Sequence, residues 1–271
     1  MTLKKTLTLA GSDSSGGAGI QADLKTFQEH GVYGMTALTS IVTMDPDNWH
    51  HDVTPLDTAV VEKQLDTILS VGVDAMKTGM LGSVDIIELG ARKIDQYQLE
   101  QFVLDPVMVC KGEDEVLQPE NTDAMRELLL PRSLVATPNL FEAGQLAQTG
   151  PIKSVDGMKD AAVKIHELGA KSVIIKGGKA LEYEKAVDLF YDGENFTILE
   201  AEKVNTVYTH GAGCTFAAAI TANLANGKNV KEAVAAAKDF VTVAIAHGWK
   251  LNEFVGPVMH GAYHQFSTEK A

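Results

Sequence analysis

TLTLAGSDSSGGAGIQADLKTF, residues 6–27, decides the fold class. Its first five residues, Thr6–Ala10, read as a buried strand. Gly11–Gly19 is a loop of glycines and small polar residues, after which Ile20, Leu24 and Phe27 fall at helical spacing. Strand, glycine loop and helix in that order open an α/β protein, and the loop stands where such proteins bind ligands.

The same alternation continues outward from this stretch. MTALTSIVT (35–43) is strand-like, and Val60, Val61, Leu65, Ile68 and Leu69 mark a helix. The segment 73–81 contains the next strand, a helix covers about 84–97, and FVLDPVM (102–108) is again a strand. LVATP (134–138) is a short strand before a helix starting near Leu140; a helix at 156–168 leads into SVIIKGG (172–178). AVDLFYDG and NFTILE form a hairpin turning at Asp192-Gly193-Glu194. Ala-rich helices follow at 213–226 and 230–248, with a last helix near 255–266. The pattern predicts the α/β class, with a mostly parallel central sheet and helices on both faces. No composition break, linker or repeat interrupts it, so residues 1–271 read as a single domain.

Composition narrows the function classes. A hydrophobic share of 45% with 22% charged residues is ordinary for a globular chain. No apolar run reaches the roughly 18 residues a membrane helix needs. The start, MTLKKTLTLAGSD, carries two lysines before a short apolar stretch, but that stretch runs straight into the glycine loop and reads as a first strand rather than a signal. A cytoplasmic location follows. The net charge of −13 argues against a nucleic-acid partner, which needs a basic surface; it leaves room for ATP, bound by a local site. The two cysteines, Cys110 and Cys214, read as thiols in a cytosolic chain rather than a disulfide.

Polar groups and glycines gather just after the strands: the loop at 11–19, Thr43-Met44-Asp45, Thr78-Gly79-Met80, Asp105-Pro106, Thr137-Pro138-Asn139, Lys176-Gly177-Gly178, and Thr209–Cys214 before an Ala-rich helix. In the last of these, Gly211 and Gly213 flank a small residue and open a helix. Unpaired N–H groups at such a start attract an anion, and glycine lets a phosphate approach; a plain glycine turn is the other reading. There is no GxxxxGK[ST] segment, which excludes an ordinary P-loop enzyme. Asn139 and Glu142 have N-x-x-E spacing on a first helical turn, suited either to oxygen ligation of Mg2+ or to a simple N-cap.

The segments AGSDSSGGAGIQADLKTF (10–27), KTGML (77–81), DPVM (105–108), TPNLFEA (137–143), IKGG (175–178) and THGAGCT (209–215) together carry a resemblance. The chain resembles the ribokinase-like superfamily, and within it the vitamin kinases: hydroxymethylpyrimidine kinases and bacterial pyridoxal kinases. The resemblance implies a ribokinase-like fold, a homodimer, and transfer of the γ-phosphate of ATP, with Mg2+, to a hydroxymethyl group. Where the superfamily has GAGD with a basic aspartate, this chain has Cys214, as the vitamin-kinase branch does. A thiol at a helix N-terminus has a lowered pKa and can take the hydroxyl proton. Gly211 and Gly213 would supply N–H groups to the transferring phosphoryl group. His210 either polarises the site, touches a phosphate or merely packs.

By the same resemblance, Asn139 and Glu142 serve Mg2+ and the ATP phosphates, and Asp105 shares the metal shell. Lys176, Gly177, Gly178, Lys179, Ala180 and Asp188 lie along the nucleotide. Ser12, Ala18, Asp23, Met44, Met80 and Val107 face the acceptor ring, Asp23 being either its best polar contact or a solvent-facing helix residue. Position 44 departs from the hydroxymethylpyrimidine kinases, which have a glutamine there for the ring amino group. Methionine cannot pair with an amine, so pyridoxal is favoured over the aminopyrimidine. Cys110 sits in the polar segment CKGEDEVLQPE, which reads as a loop over the acceptor. Its sulfur either adds to the pyridoxal aldehyde as a hemithioacetal or is an incidental thiol. A sugar kinase would show GAGD and a more polar pocket. A non-catalytic vitamin-binding protein would have lost part of this residue set, and a thiol hydrolase would need a histidine–acid pair assignable to Cys214.

Overall fold

The structure, a computed structural model, describes residues 2–108 and 119–267. In chain order the elements are β1 (Lys5–Asp13), α1 (Gly19–Glu29), β2 (Tyr33–Met44), β3 (His51–Pro55), α2 (Thr58–Leu69), β4 (Ala75–Thr78), α3 (Val84–Tyr97) and β5 (Phe102–Leu104). They continue with α4 (Pro119–Ala124), β6 (Val135–Ala136), α5 (Leu140–Ala147), α6 (Val155–Glu167), β7 (Val173–Gly178), β8 (Ala186–Tyr191) and β9 (Phe196–Ala201). The last are α7 (Ala212–Ala225), α8 (Val230–Ala246) and α9 (Ala262–Phe266). The chain divides into two compact units, Met1–Gly82 with Val204–Ala271, and Ser83–Lys203.

In the first unit the strand order is β3-β2-β1-β4. β1 pairs in parallel with β2 on one side and β4 on the other, while β3 adds antiparallel to β2. Strand β1 is flanked on both edges and covered on both faces, so Leu7, Leu9 and Ala10 are buried and the alternating Thr6 and Thr8 are buried with them. α7 explains its Ala-rich sequence: every residue from Thr215 to Ala225 is buried, so the helix is apolar all round. Its small side chains pack against α1 and α8. Ala218, Ala222 and Ala225 share one cluster with Phe27, Val32 and Ala75.

In the second unit the order is β5-β6-β7-β8-β9, parallel from β5 to β7 and antiparallel from β7 to β9. The expected hairpin is therefore the antiparallel pair β8–β9, and the Asp192 carboxylate caps its turn by accepting from the N–H groups of Glu194 and Asn195. α3 begins where Ser83 caps it and ends at Gln98 in the left-handed region. Each unit thus has parallel pairs at its centre and an antiparallel margin, the mostly parallel α/β arrangement expected from the sequence.

Three regions differ from expectation. β3 and the helical stretch from Pro119 to Arg132 carry no strong periodic signal; the latter runs α-helix, one π turn at Met125–Leu129 and a 3-10 turn. The expected helix over 255–266 shrinks to Ala262–Phe266, because Pro257 is engaged as a bridge partner of His210 and the N–H of Val258 donates to the His210 carbonyl.

Candidate active site

The first unit joins the glycine loop to the start of α7. Gly211, the N-cap of α7, has φ +79°, a conformation glycine adopts at no steric cost. A Cβ there would run into the carbonyl oxygen of Gly17, and a Cβ on Gly17 would run into the ring of His210. These glycines let two backbone segments touch that are nearly 200 residues apart in sequence. Cys214 is the third residue of α7, half-buried, in the turn whose N–H groups have no preceding carbonyls within the helix.

Beneath the contact lies a histidine–aspartate pair. His210 Nε2 stands 2.7 Å from Asp13 Oδ2, and both residues are buried. Asp13 also accepts from the N–H groups of Ser15 (Oδ1, 2.8 Å) and Ala18 (Oδ2, 2.8 Å). Burial pushes the Asp13 carboxyl up, but hydrogen bonds from His210 and Ser15 outweigh it and bring its pKa down to about 2. Asp13 was not singled out in the sequence; the available signal was an aspartate closing a strand with N–H donors two and five residues on, an Asx-turn pattern.

Ser12, Ala18, Met44 and Met80 are half-buried in this unit. Gln21 donates to Ser12 Oγ at 2.8 Å, and the Met80 sulfur lies 3.9 Å from Ser40 Oγ. Asp23 is placed differently from the expected ring-facing side chain, and it does not face solvent either. It is fully buried, with Oδ1 2.9 Å from Lys77 Nζ and Oδ2 accepting from Thr8 Oγ1 at 2.7 Å. A cavity of about 360 Å3 borders the loop at Ser15 and Gly16 and reaches Lys25, Trp249 and His260; none of the five expected ring contacts of this unit lines it.

The second unit assembles the expected nucleotide residues at its strand ends. Lys176 Nζ lies 3.1 Å from Asp105 Oδ1, which also accepts from Thr137 Oγ1 at 3.2 Å. Asn139 bridges to Lys176 in parallel, and Lys176 N donates to the Pro138 carbonyl. Asn139 and Glu142 form a full capping box: Asn139 Oδ1 accepts from Glu142 N at 2.9 Å, and Glu142 Oε2 from Asn139 N at 2.8 Å. The N-cap geometry and the carboxylate cluster coexist. Glu142 is pushed up to about 7, by burial first; Lys176 opposes this and Asp105 adds to it. Asp188 pairs across from Lys176 and accepts from Gly178 N at 3.2 Å. The strand bulges between Lys176 and Gly178, where a Cβ on Gly177 would strike the Val187 carbonyl. Lys179 and Ala180 are exposed in the turn that follows, and Val107 is half-buried after β5. Cys110 lies outside the described residues.

Buried carboxylates and an amide are oxygen donors of the kind Mg2+ takes, and one or two carboxylates suffice where phosphates complete the shell. The donor set of the second unit therefore fits that ion. No group of three or more His, Cys, Asp or Glu side chains among the described residues forms an all-protein metal cage. No helix of the described residues is long and apolar enough to cross a membrane.

The family described as phosphomethylpyrimidine kinase matches residues 13–259. The chain belongs to this family. Within it, similarity runs to more than one activity. The pyridoxine kinase of Bacillus subtilis is 61% identical, over 97% of this chain and 97% of its own. The hydroxymethylpyrimidine/phosphomethylpyrimidine kinase of the same organism is 44% identical, also over 97% of each. The solved pyridoxal kinase of Staphylococcus aureus in complex with AMP-PCP and pyridoxal superposes with a TM-score of 0.94 at 57% identity, covering 98% of this chain and 96% of that one. The glycine loop and the Gly211–Cys214 helix start described above thus belong to a phosphomethylpyrimidine kinase family member of known vitamin-kinase fold.

Proposed function

We propose that this chain is a pyridoxal kinase, transferring the γ-phosphate of ATP to the 5′-hydroxymethyl oxygen of pyridoxal to give pyridoxal 5′-phosphate and ADP. The carrying observation is the identity of 57–61% over nearly the full length to pyridoxal and pyridoxine kinases, against 44% to a hydroxymethylpyrimidine kinase. Met44, half-buried at the end of β2, agrees with it, because a thioether offers nothing to a ring amine. The family description itself favours a second reading, phosphorylation of hydroxymethylpyrimidine, as the alternative or an additional activity.

The roles divide by residue. Cys214, as thiolate, takes the proton of the hydroxymethyl group as its oxygen attacks the γ-phosphorus and the bond to ADP breaks. Backbone N–H groups of the Gly211–Gly213 turn stabilise charge on the transferring group. Ser12, Ala18, Met44, Met80 and Val107 bound the acceptor. Lys176 and the Gly177–Gly178 bulge lie along the nucleotide phosphates, with Lys179, Ala180 and Asp188 next to them. Glu142 and Asp105, with Asn139, would hold Mg2+, which neutralises phosphate oxygens. The enzyme acts as one cytoplasmic domain in a homodimer, a state that light scattering checks. Incubation with Mg-ATP and pyridoxal, with products identified by mass, tests the reading: pyridoxal 5′-phosphate is expected, and no phosphorylated product would overturn it.

A further inference from the structure

We propose that Asp13 is a positioning residue of phosphoryl transfer, tying the acceptor-side glycine loop to the start of α7 so that the Cys214 thiol stands in register with that loop; this rests on the kinase reading above.

One carboxylate makes the tie. Asp13 is the last residue of β1, paired opposite Val42, and its own N–H donates to Gln21 Oε1 at 3.0 Å, so its backbone is anchored. Its oxygens accept from Ser15 N and Ala18 N, closing the loop, and from His210 Nε2, 197 positions along the chain. His210 is anchored in turn: its N–H donates to the Gly256 carbonyl, and its carbonyl accepts from Val258 N. The next residue is Gly211, seated on the Gly17 carbonyl, and Cys214 follows three positions later. A displacement of Asp13 therefore moves both the loop that carries Ala18 and the helix start that carries the thiol.

The chemistry limits Asp13 to this role. With a pKa of about 2 it is ionised at any working pH and can only accept hydrogen bonds. His210 must then carry a proton on Nε2, which sets the orientation of the ring. Three donors already face the carboxylate, so it is not placed to act as the base. Asparagine at this position would turn an NH2 group toward one of those donors and lose the charge while keeping the shape.

The test is a double-mutant cycle on the full chain, with Asp13→Asn, His210→Asn and the double variant. Each single variant is expected to lower kcat with pyridoxal about 10–100-fold, the size of a misalignment effect, with the KM for ATP within about twofold and unchanged melting in wild-type range. The double variant is expected to be no worse than the worse single one. Multiplicative losses, or a wild-type kcat in Asp13→Asn, would overturn the proposal. A long-range 1H–15N spectrum of the wild-type protein reads the His210 ring independently of activity and of any variant's folding. An Nε2-protonated ring is expected, and a ring protonated on Nδ1 alone would overturn the tie. If wild-type protein lacked phosphotransfer, the kinase reading would fall, whereas this spectrum would still decide whether Asp13 holds His210.

Discussion

Lys77 Nζ and Asp23 Oδ1 meet at 2.9 Å with both side chains fully buried, so the first unit carries an ion pair in its interior. Such a pair is costly to break from one side, because the remaining charge loses its partner in low dielectric. Lys77→Met is expected to destabilise the protein by about 3–5 kcal/mol in urea unfolding. Adding Asp23→Leu to it should restore part of that loss. A single-variant loss below about 1 kcal/mol would show that the pair is not what holds these residues.

Cys214→Ala should lower kcat with pyridoxal by about 10²–10⁴-fold, the usual contribution of a positioned proton acceptor. Nucleotide affinity should stay near wild type, since the role proposed for the thiol is at the transition state. Isothermal titration with an ATP analogue beside steady-state kinetics separates the two. A large loss of nucleotide affinity at unchanged kcat contradicts the role.

Glu142→Gln separates capping from metal binding. Glutamine keeps an acceptor for the Asn139 N–H, so α5 should remain capped and the melting temperature close to wild type. The Mg2+ concentration for half-maximal rate should rise severalfold, because an amide is a weaker ligand than a carboxylate. An unchanged Mg2+ requirement would remove Glu142 from the metal shell.

Two histidines set an acid limit on stability. His260 is lowered to about 4, chiefly by burial and then by Lys25 and His210; His30 is also lowered to about 4, chiefly by burial and then by Lys228 and His264. Each is neutral when folded and protonates more readily when unfolded. Their stabilising contribution is complete above about pH 6.5 and is lost as pH falls through about 4. Melting temperature should drop through this window, and His260→Gln should flatten the drop. An identical pH profile in wild type and variant would show that His260 does not contribute.

Much of this was legible in the sequence, for physical reasons. α7 declares itself because burial on all sides favours small alanine side chains, and β1 because its β-branched and apolar residues, Thr6–Ala10, run straight into a glycine loop. The hairpin at Asp192 was readable because its turn needs a short polar side chain. β3 was not, since HDVTP is a half-exposed margin strand whose pairing is supplied by β2, and its own residues need no alternation. At the site, Gly211, Asn139 and Glu142 stood out because glycine turns and capping spacings are local, whereas Cys214 and Lys176 were marked by the family resemblance. Asp13 and Lys77 did not: their partners, His210 and Asp23, are 197 and 54 positions away, and no local spacing reports such a pairing. Asp23 was read onto the acceptor for the same reason, since its buried partner could not be seen from its own helix.

Competition between pyridoxal and hydroxymethylpyrimidine for limiting Mg-ATP, with both phosphorylated products quantified by mass, decides which acceptor the enzyme prefers. The ratio of kcat/KM is expected to favour pyridoxal by at least about tenfold, the scale on which a missing polar partner is felt. A ratio at or below one would contradict the pyridoxal kinase reading and make the chain a hydroxymethylpyrimidine kinase.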